Sequence, residues 1–244
     1  MNYVLPIFRR EFATYFATPL ATVFIIIFLL AMGAFTFYIG NFYTNGVADL
    51  AVFFGYHPWL YLFLVSAISM RLWAEERSTG TMELLLTLPV PLWATVVGKF
   101  LAAWAFTGIA LALTFPIWLT VNFLGSPDNG VILASYIGSF LMAGGYLAIG
   151  SAISATTNNQ VIAFVISVVV CFLFTISGAP LVLDFFHGWA PLFIINAVAS
   201  FSFLTHFSAI TAGVIDLRDV IFFFSLIALF LAANAVIVDL KRTG

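Results

Sequence analysis

Three histidines, His57, His187 and His206, together with Asp184, are the residues whose types could ligate a metal ion. Their scattered spacing lacks the regularity that puts two ligands on one helix face, so the expectation is histidines at a membrane surface rather than a metal centre. The Gly98-Lys99 pair has Trp93 where a phosphate-binding loop needs its first glycine and Phe100 where it needs Ser or Thr, so no nucleotide site of that kind is expected. Cys171 is the lone cysteine; it lies inside "VVVCFLF" and reads as a small core residue. One constellation remains. In "AEERSTGTMELLLTLPVP", Glu75, Glu76 and Glu83 place three of ten acidic residues within nine positions, in a chain that otherwise avoids charge.

What that cluster can do depends on the elements around it. Of 244 residues, 64% are hydrophobic and 7% charged, and 29 are Phe, which is the composition of an all-α integral membrane protein and not of a soluble domain. A spanning helix needs about 20 apolar residues, since the hydrocarbon core of roughly 30 Å must be crossed with every backbone group bonded internally. Six runs qualify: 20–39; 58–73, extended back through "AVFFGYH" with a kink at Pro58; 94–121, over-long and so tilted or with its first turn around Lys99 in the interface; 131–154; 161–183; and 220–238. No internal repeat or linker divides the chain, which reads as one domain over 1–244, with a six-span bundle over 20–240.

The opening segment, 1–18, differs. "VLPIFRREFATYFATP" places Leu5, Phe8, Phe12 and Phe16 at helical spacing, with Arg9, Arg10, Glu11 and Thr14 elsewhere around the helix. This predicts an amphipathic helix lying in the membrane surface against lipid headgroups. Orientation follows from the cations. With the N-terminus cytoplasmic, Arg9, Arg10, Arg71, Arg77, Lys99, Lys241 and Arg242 all fall inside and Arg218 alone falls outside, so both termini are expected in the cytoplasm. There is no basic patch for nucleic acid. A seventh span over 193–213 would put Lys241 and Arg242 outside, so that region is expected as short re-entrant or surface-lying helices on the outer face, with Asp216 capping the last span and Asp219 in its first turn. Small residues at Ala134/Gly138 and Gly150/Ser154 allow close packing, within one subunit or between two.

Within this frame, Glu75, Glu76 and Arg77 mark the exit of the second span into the cytoplasm. "STG" breaks the helix and "TMELLLTL" begins a new one, with Gly80 as cap, Glu83 as in a capping box and Pro89 as its stop. Met82, Leu84, Leu85, Leu86 and Leu88 make it apolar nearly all round, so it must bury itself against its own bundle or in the groove of a cytoplasmic partner.

The runs "PWLYLFLVSAISMRLWAEERSTGTMELLLTLPV", "RREFATYFATP" and "SFLTHFSAITAGVIDLRDVIFF" resemble the ABC-2 type permeases, in particular the short branch that includes gliding-motility permeases. The resemblance covers most of the chain. It implies six helices per subunit, assembly as a homo- or heterodimer in the inner membrane, and a separate cytoplasmic ATPase subunit that alone binds ATP and Mg. It also implies that the loop between spans two and three is a coupling helix contacting that ATPase, so that Glu75, Glu76, Arg77, Gly80, Thr81, Met82, Glu83, Leu84, Leu85 and Leu86 carry the contact, while Phe8, Arg9, Arg10 and Phe12 belong to the interfacial helix. A seam formed by spans one, two and five would be made apolar by Phe24, Phe28, Phe35, Phe164, Phe172 and Phe174. Such a chain is an exporter subunit, not an enzyme. The alternative is a membrane enzyme or accessory scaffold acting without nucleotide, for which the outer His and Asp residues are the only candidates.

Overall fold

The computed structural model describes residues 3–44, 46–82, 90–188 and 190–241, and among these it is helical with no strand. An apolar chain in lipid has no other means of pairing its backbone short of a closed barrel. Helix α1 (Val4–Ala17) ends at Thr18, and α2 (Pro19–Gly33) starts on Pro19, where the missing N–H costs nothing. A π-helical segment, Ala34–Ile39, continues it. Then follow α3 (Ala51–Gly55), α4 (His57–Ser69), α5 (Arg71–Ser78), α6 (Leu92–Ala112), α7 (Phe115–Leu124), α8 (Asn129–Ser154), α9 (Gln160–Ile176), α10 (Pro180–His187), α11 (Leu192–Ser200), α12 (Phe203–Thr211) and α13 (Leu217–Leu240).

Helix α8 is the axis of the molecule. It packs against α4, α6, α9, α12 and α13 and is buried along most of its length. Its small residues allow this. A side chain at Gly138 would collide with Ile210, and one at Gly150 with Ser69, so both small-residue positions serve packing within the subunit. Cys171 is fully buried, as expected of a core residue.

Among the described residues, four stretches are long and apolar enough to cross a membrane: Ala21–Ile39, Leu92–Leu124, Asn129–Ser154 and Leu217–Leu240. The expected second span is instead made of pieces, with breaks at Tyr56 and Met70. At the second break Ser154 of α8 repairs the ladder: its hydroxyl accepts from the backbone N–H of Trp73 and Ala74 and donates to the Met70 carbonyl. The expected fifth span bends by 80° between Gln160–Ile176 and Pro180–Phe186. Gly178 and Pro180 lie at this break, where Pro180 has no N–H to continue the helix.

Contacts at the two ends of the bundle show how the passes alternate. At one end Arg77 donates to the Ala155 carbonyl, Lys241 to that of Thr156, and Lys99 to Glu11 and Glu76. At the other, Trp118 donates to Asn129, Thr114 bonds Tyr136, Gly125 abuts Ala48, and His206 meets Asp219. The first end thus gathers Arg10, Arg71, Arg77, Lys99 and Lys241, and the second holds Arg218. Residues 192–211 form two nine-residue arms, α11 and α12, bent by 63° at residues 201–202; each arm is too short to cross by itself, and the pair together has the length and apolarity of one broken span or a re-entrant loop. Its second arm, α12, lies against α8, α9 and α13.

Candidate functional site

The charged cluster of the sequence is not isolated. Helix α5 projects Glu75 and Glu76 at the cationic end, beside α1 and the first turns of α6. Lys99, in the second turn of α6, is only 2% exposed and its ammonium sits 3.1 Å from Glu11 and 2.5 Å from Glu76, with the Trp73 ring 5.5 Å away. One cation thereby ties three helices together. Arg71 holds Glu75 through two hydrogen bonds of 2.6 and 2.7 Å along one helix turn, and Arg10 pairs with Glu11 at 2.6 Å. A cleft of about 580 Å³ opens between α1 and α5 over these groups.

The interfacial helix docks on α6 by one side. Leu5 and Phe16, expected on its apolar face, are about half exposed, and the packed face runs through Ile7, Phe8, Glu11, Phe12 and Tyr15. Ile7 seats at Gly98, where a side chain would clash, and Tyr15 stacks on Phe106 at 5.0 Å. Arg9 and Arg10 remain outward. This docking turns Glu11 inward to Lys99.

Of the residues expected to form the coupling element, Glu75, Glu76 and Arg77 end α5, Gly80 takes a positive φ of 74° that suits glycine, Thr81 bonds Thr79 at 3.0 Å, and Met82 is buried. Glu83, Leu84, Leu85 and Leu86 lie outside the described residues. Lys99 and Glu11 were not expected in the site. The signal for Lys99 was an ionisable residue inside an apolar run, which implies a partner.

Burial pushes the Glu11 carboxyl up, but the Lys99 ammonium, with Arg10, more than offsets this and holds it below the ordinary glutamate range. Its folded-state value lies below its unfolded one. The stabilisation it gives is therefore complete above the unfolded value and is lost as pH falls through the depressed folded value. The unfolding midpoint in detergent is expected to fall as pH drops below the ordinary glutamate range, and Glu11→Gln should flatten that fall.

The histidines correct another expectation. His57 and His206 are buried, not interfacial. His206 bonds Asp219 at 2.6 Å and the Ser200 carbonyl at 2.9 Å while stacking on Phe222, so it joins α11, α12 and α13. The His187 side chain lies outside the described set. Among the described residues no three His, Cys, Asp or Glu groups converge as a metal site.

Residues 15–173 match the family model described as CcmB protein, a stretch that holds Glu76, Lys99 and the whole loop between them. The chain belongs to the CcmB family. Over 70 residues it is 36% identical to heme exporter protein B of Rhodobacter capsulatus, an alignment that covers 28% of this chain and 32% of that protein. The chain thus matches about a third of that relative's length. The CcmB assignment replaces the gliding-motility branch expected from the motifs. Those motifs describe an interfacial helix, a charged loop and an outer pair of short helices, features that do not separate one short permease from another. As a CcmB protein, the chain is a multi-pass membrane permease component and not an enzyme.

Proposed function

We propose that the chain is the transmembrane subunit of an ABC-type exporter in the inner membrane, with both termini cytoplasmic, and that its transported cargo is heme or a heme-containing species. A separate cytoplasmic ATPase binds ATP and Mg, and a second permease subunit, identical or not, completes the pathway. The cargo is argued from the name of the R. capsulatus relative. The driving partner is argued from one observation: Lys99 joins Glu76, at the root of the 79–88 segment, to Glu11 of the interfacial helix and to α6. A push on that segment reaches three helices through a buried ionic joint.

In this reading 79–88 is the coupling helix, with Leu84 and Leu85 as apolar anchors and Glu75, Glu76 and Glu83 setting orientation. The test is reconstitution. The chain with its copurifying ATPase should hydrolyse ATP in vesicles, and the chain stripped of all partners should bind none. Nucleotide binding by the stripped chain would contradict the proposal.

A further inference from the structure

The cleft between α1 and α5 is walled by two polar stripes. Arg10, Thr14 and Thr18 recur at four-residue intervals along α1 to its cap, and Arg71, Glu75 and Thr79 do so along α5, one stripe on each side. The less exposed lining residues, Glu11, Tyr15, Glu76 and Lys99, make its floor. Arg10, Arg71 and Lys99 balance Glu11, Glu75 and Glu76, so the lining carries both signs and no net charge. A lone anion or a lone cation gains little in such a cleft. A ligand that itself carries both signs fits it.

The hydrogen-bonding capacity left over narrows the ligand. Lys99 is committed to Glu11 and Glu76. A guanidinium carries five N–H donors; Arg10 spends one of them on Glu11 and Arg71 two on Glu75, so both keep donors for an anion. Burial, with Glu11 and Glu75 nearby, pushes the Tyr15 hydroxyl up, so it stays a neutral donor among these charges. On the acidic side, each Glu75 oxygen accepts one hydrogen bond from Arg71 and has a lone pair to spare. Glu76 gives Oε1 to Lys99, while its Oε2 is buried with no partner. An orphaned acceptor of this kind is costly, and a cationic N–H is the donor that satisfies it best. Apolar surface adjoins these polar walls. At the Thr18 edge of the cleft α2 begins, and Val23, Ile27 and Leu30, which share one helix face, are about half exposed or more.

We propose that this cleft binds the headgroup of a phospholipid carrying a primary ammonium, phosphoethanolamine, with the phosphate on Arg10, Arg71 and Tyr15 and the ammonium on Glu75 and Glu76. The acyl chains lie along the exposed face of α2. About 580 Å³ is ample for such a headgroup. Phosphocholine has no N–H and leaves the carboxylates without a donor. Phosphoglycerol brings no cation and leaves the lining with an excess of negative charge. A bound headgroup bridges α1 to α5 beside the Lys99 joint, and its binding needs neither cargo nor ATPase.

The test is native mass spectrometry of the full-length protein in mild detergent, offered phosphatidylethanolamine, phosphatidylcholine and phosphatidylglycerol at equal concentration. Wild type should retain phosphatidylethanolamine about tenfold over either competitor, the worth of one charge-assisted hydrogen bond. Glu75→Gln gives the lining a net positive charge and should move the preference to phosphatidylglycerol. Arg10→Gln, at a half-exposed side chain, should weaken retention of phosphatidylethanolamine without favouring phosphatidylglycerol, and it decides the matter should Glu75→Gln fail to fold. Arg218→Gln, at the opposite end of the bundle, should leave the preference as in wild type. Water-soluble glycerophosphoethanolamine should compete poorly, since it lacks the chains that lie on α2. Equal retention of the three lipids, a wild-type preference in Arg10→Gln, loss of the preference in Arg218→Gln, or a soluble headgroup that binds as tightly as the lipid would each overturn the proposal.

Discussion

Lys99→Met is expected to destabilise the protein by about 3–5 kcal/mol, because it leaves the Glu11 and Glu76 carboxylates facing each other with their shared cation gone. All three side chains are less than one-fifth exposed, so solvent does little to relieve the imbalance. The loss should appear as lower abundance in the membrane, a lower unfolding midpoint in detergent and release of α1 to protease. The triple variant Lys99→Met/Glu11→Gln/Glu76→Gln removes charge and partners together and should recover much of the loss, since a buried ionic cluster can often be replaced by neutral groups of similar size at small cost. Equal destabilisation of the single and triple variants would show that the cation acts through its hydrocarbon stem and not as the joint.

Gly150→Val should cost about 3 kcal/mol. A β-carbon there would sit 1.9 Å from Ser69 Oγ and 2.6 Å from Ser69 Cβ, at the contact of α8 with α4. Neither helix can retreat easily, because α8 is packed on α6, α9, α12 and α13 as well. In a double-mutant cycle, Gly150→Ala and Ser69→Gly should couple favourably, the second relieving the first. Additive effects would mean the contact yields by a simple shift of α4.

Much of this architecture was legible in the sequence. Runs of apolar residues declare spans because lipid offers no other partner for the backbone, and the sided distribution of Arg and Lys anticipated which residues share an end. The break within 192–211 into two short helices was also readable, since Ser200 and Ser202 flank it and, with Asn196 and His206, make a poor continuous helix. The site was less so. Lys99 meets Glu76 23 residues away and Glu11 88 residues away, and pairings of that range leave no periodic trace. Which side of α1 packs on α6 was not readable either, because the docking surface with its notch at Gly98, which seats Ile7, exists only once the helices are packed. His57 and His206 look interfacial in sequence for a similar reason. Their burial depends on aromatic neighbours that only the packed helices assemble.

The central claim is that residues 79–88 dock the ATPase. It is tested most directly by mild-detergent copurification of the ATPase with wild-type chain and with Leu84→Ala/Leu85→Ala. Apolar anchors in a groove commonly cost about 2 kcal/mol or more each when truncated, whereas charges at the rim mainly alter association rate and salt sensitivity. The account predicts that the double variant stays in the membrane with a wild-type unfolding midpoint and loses the ATPase. A double variant that retains the ATPase at wild-type stoichiometry, or that disappears from the membrane because the leucines belong to its own core, would contradict it.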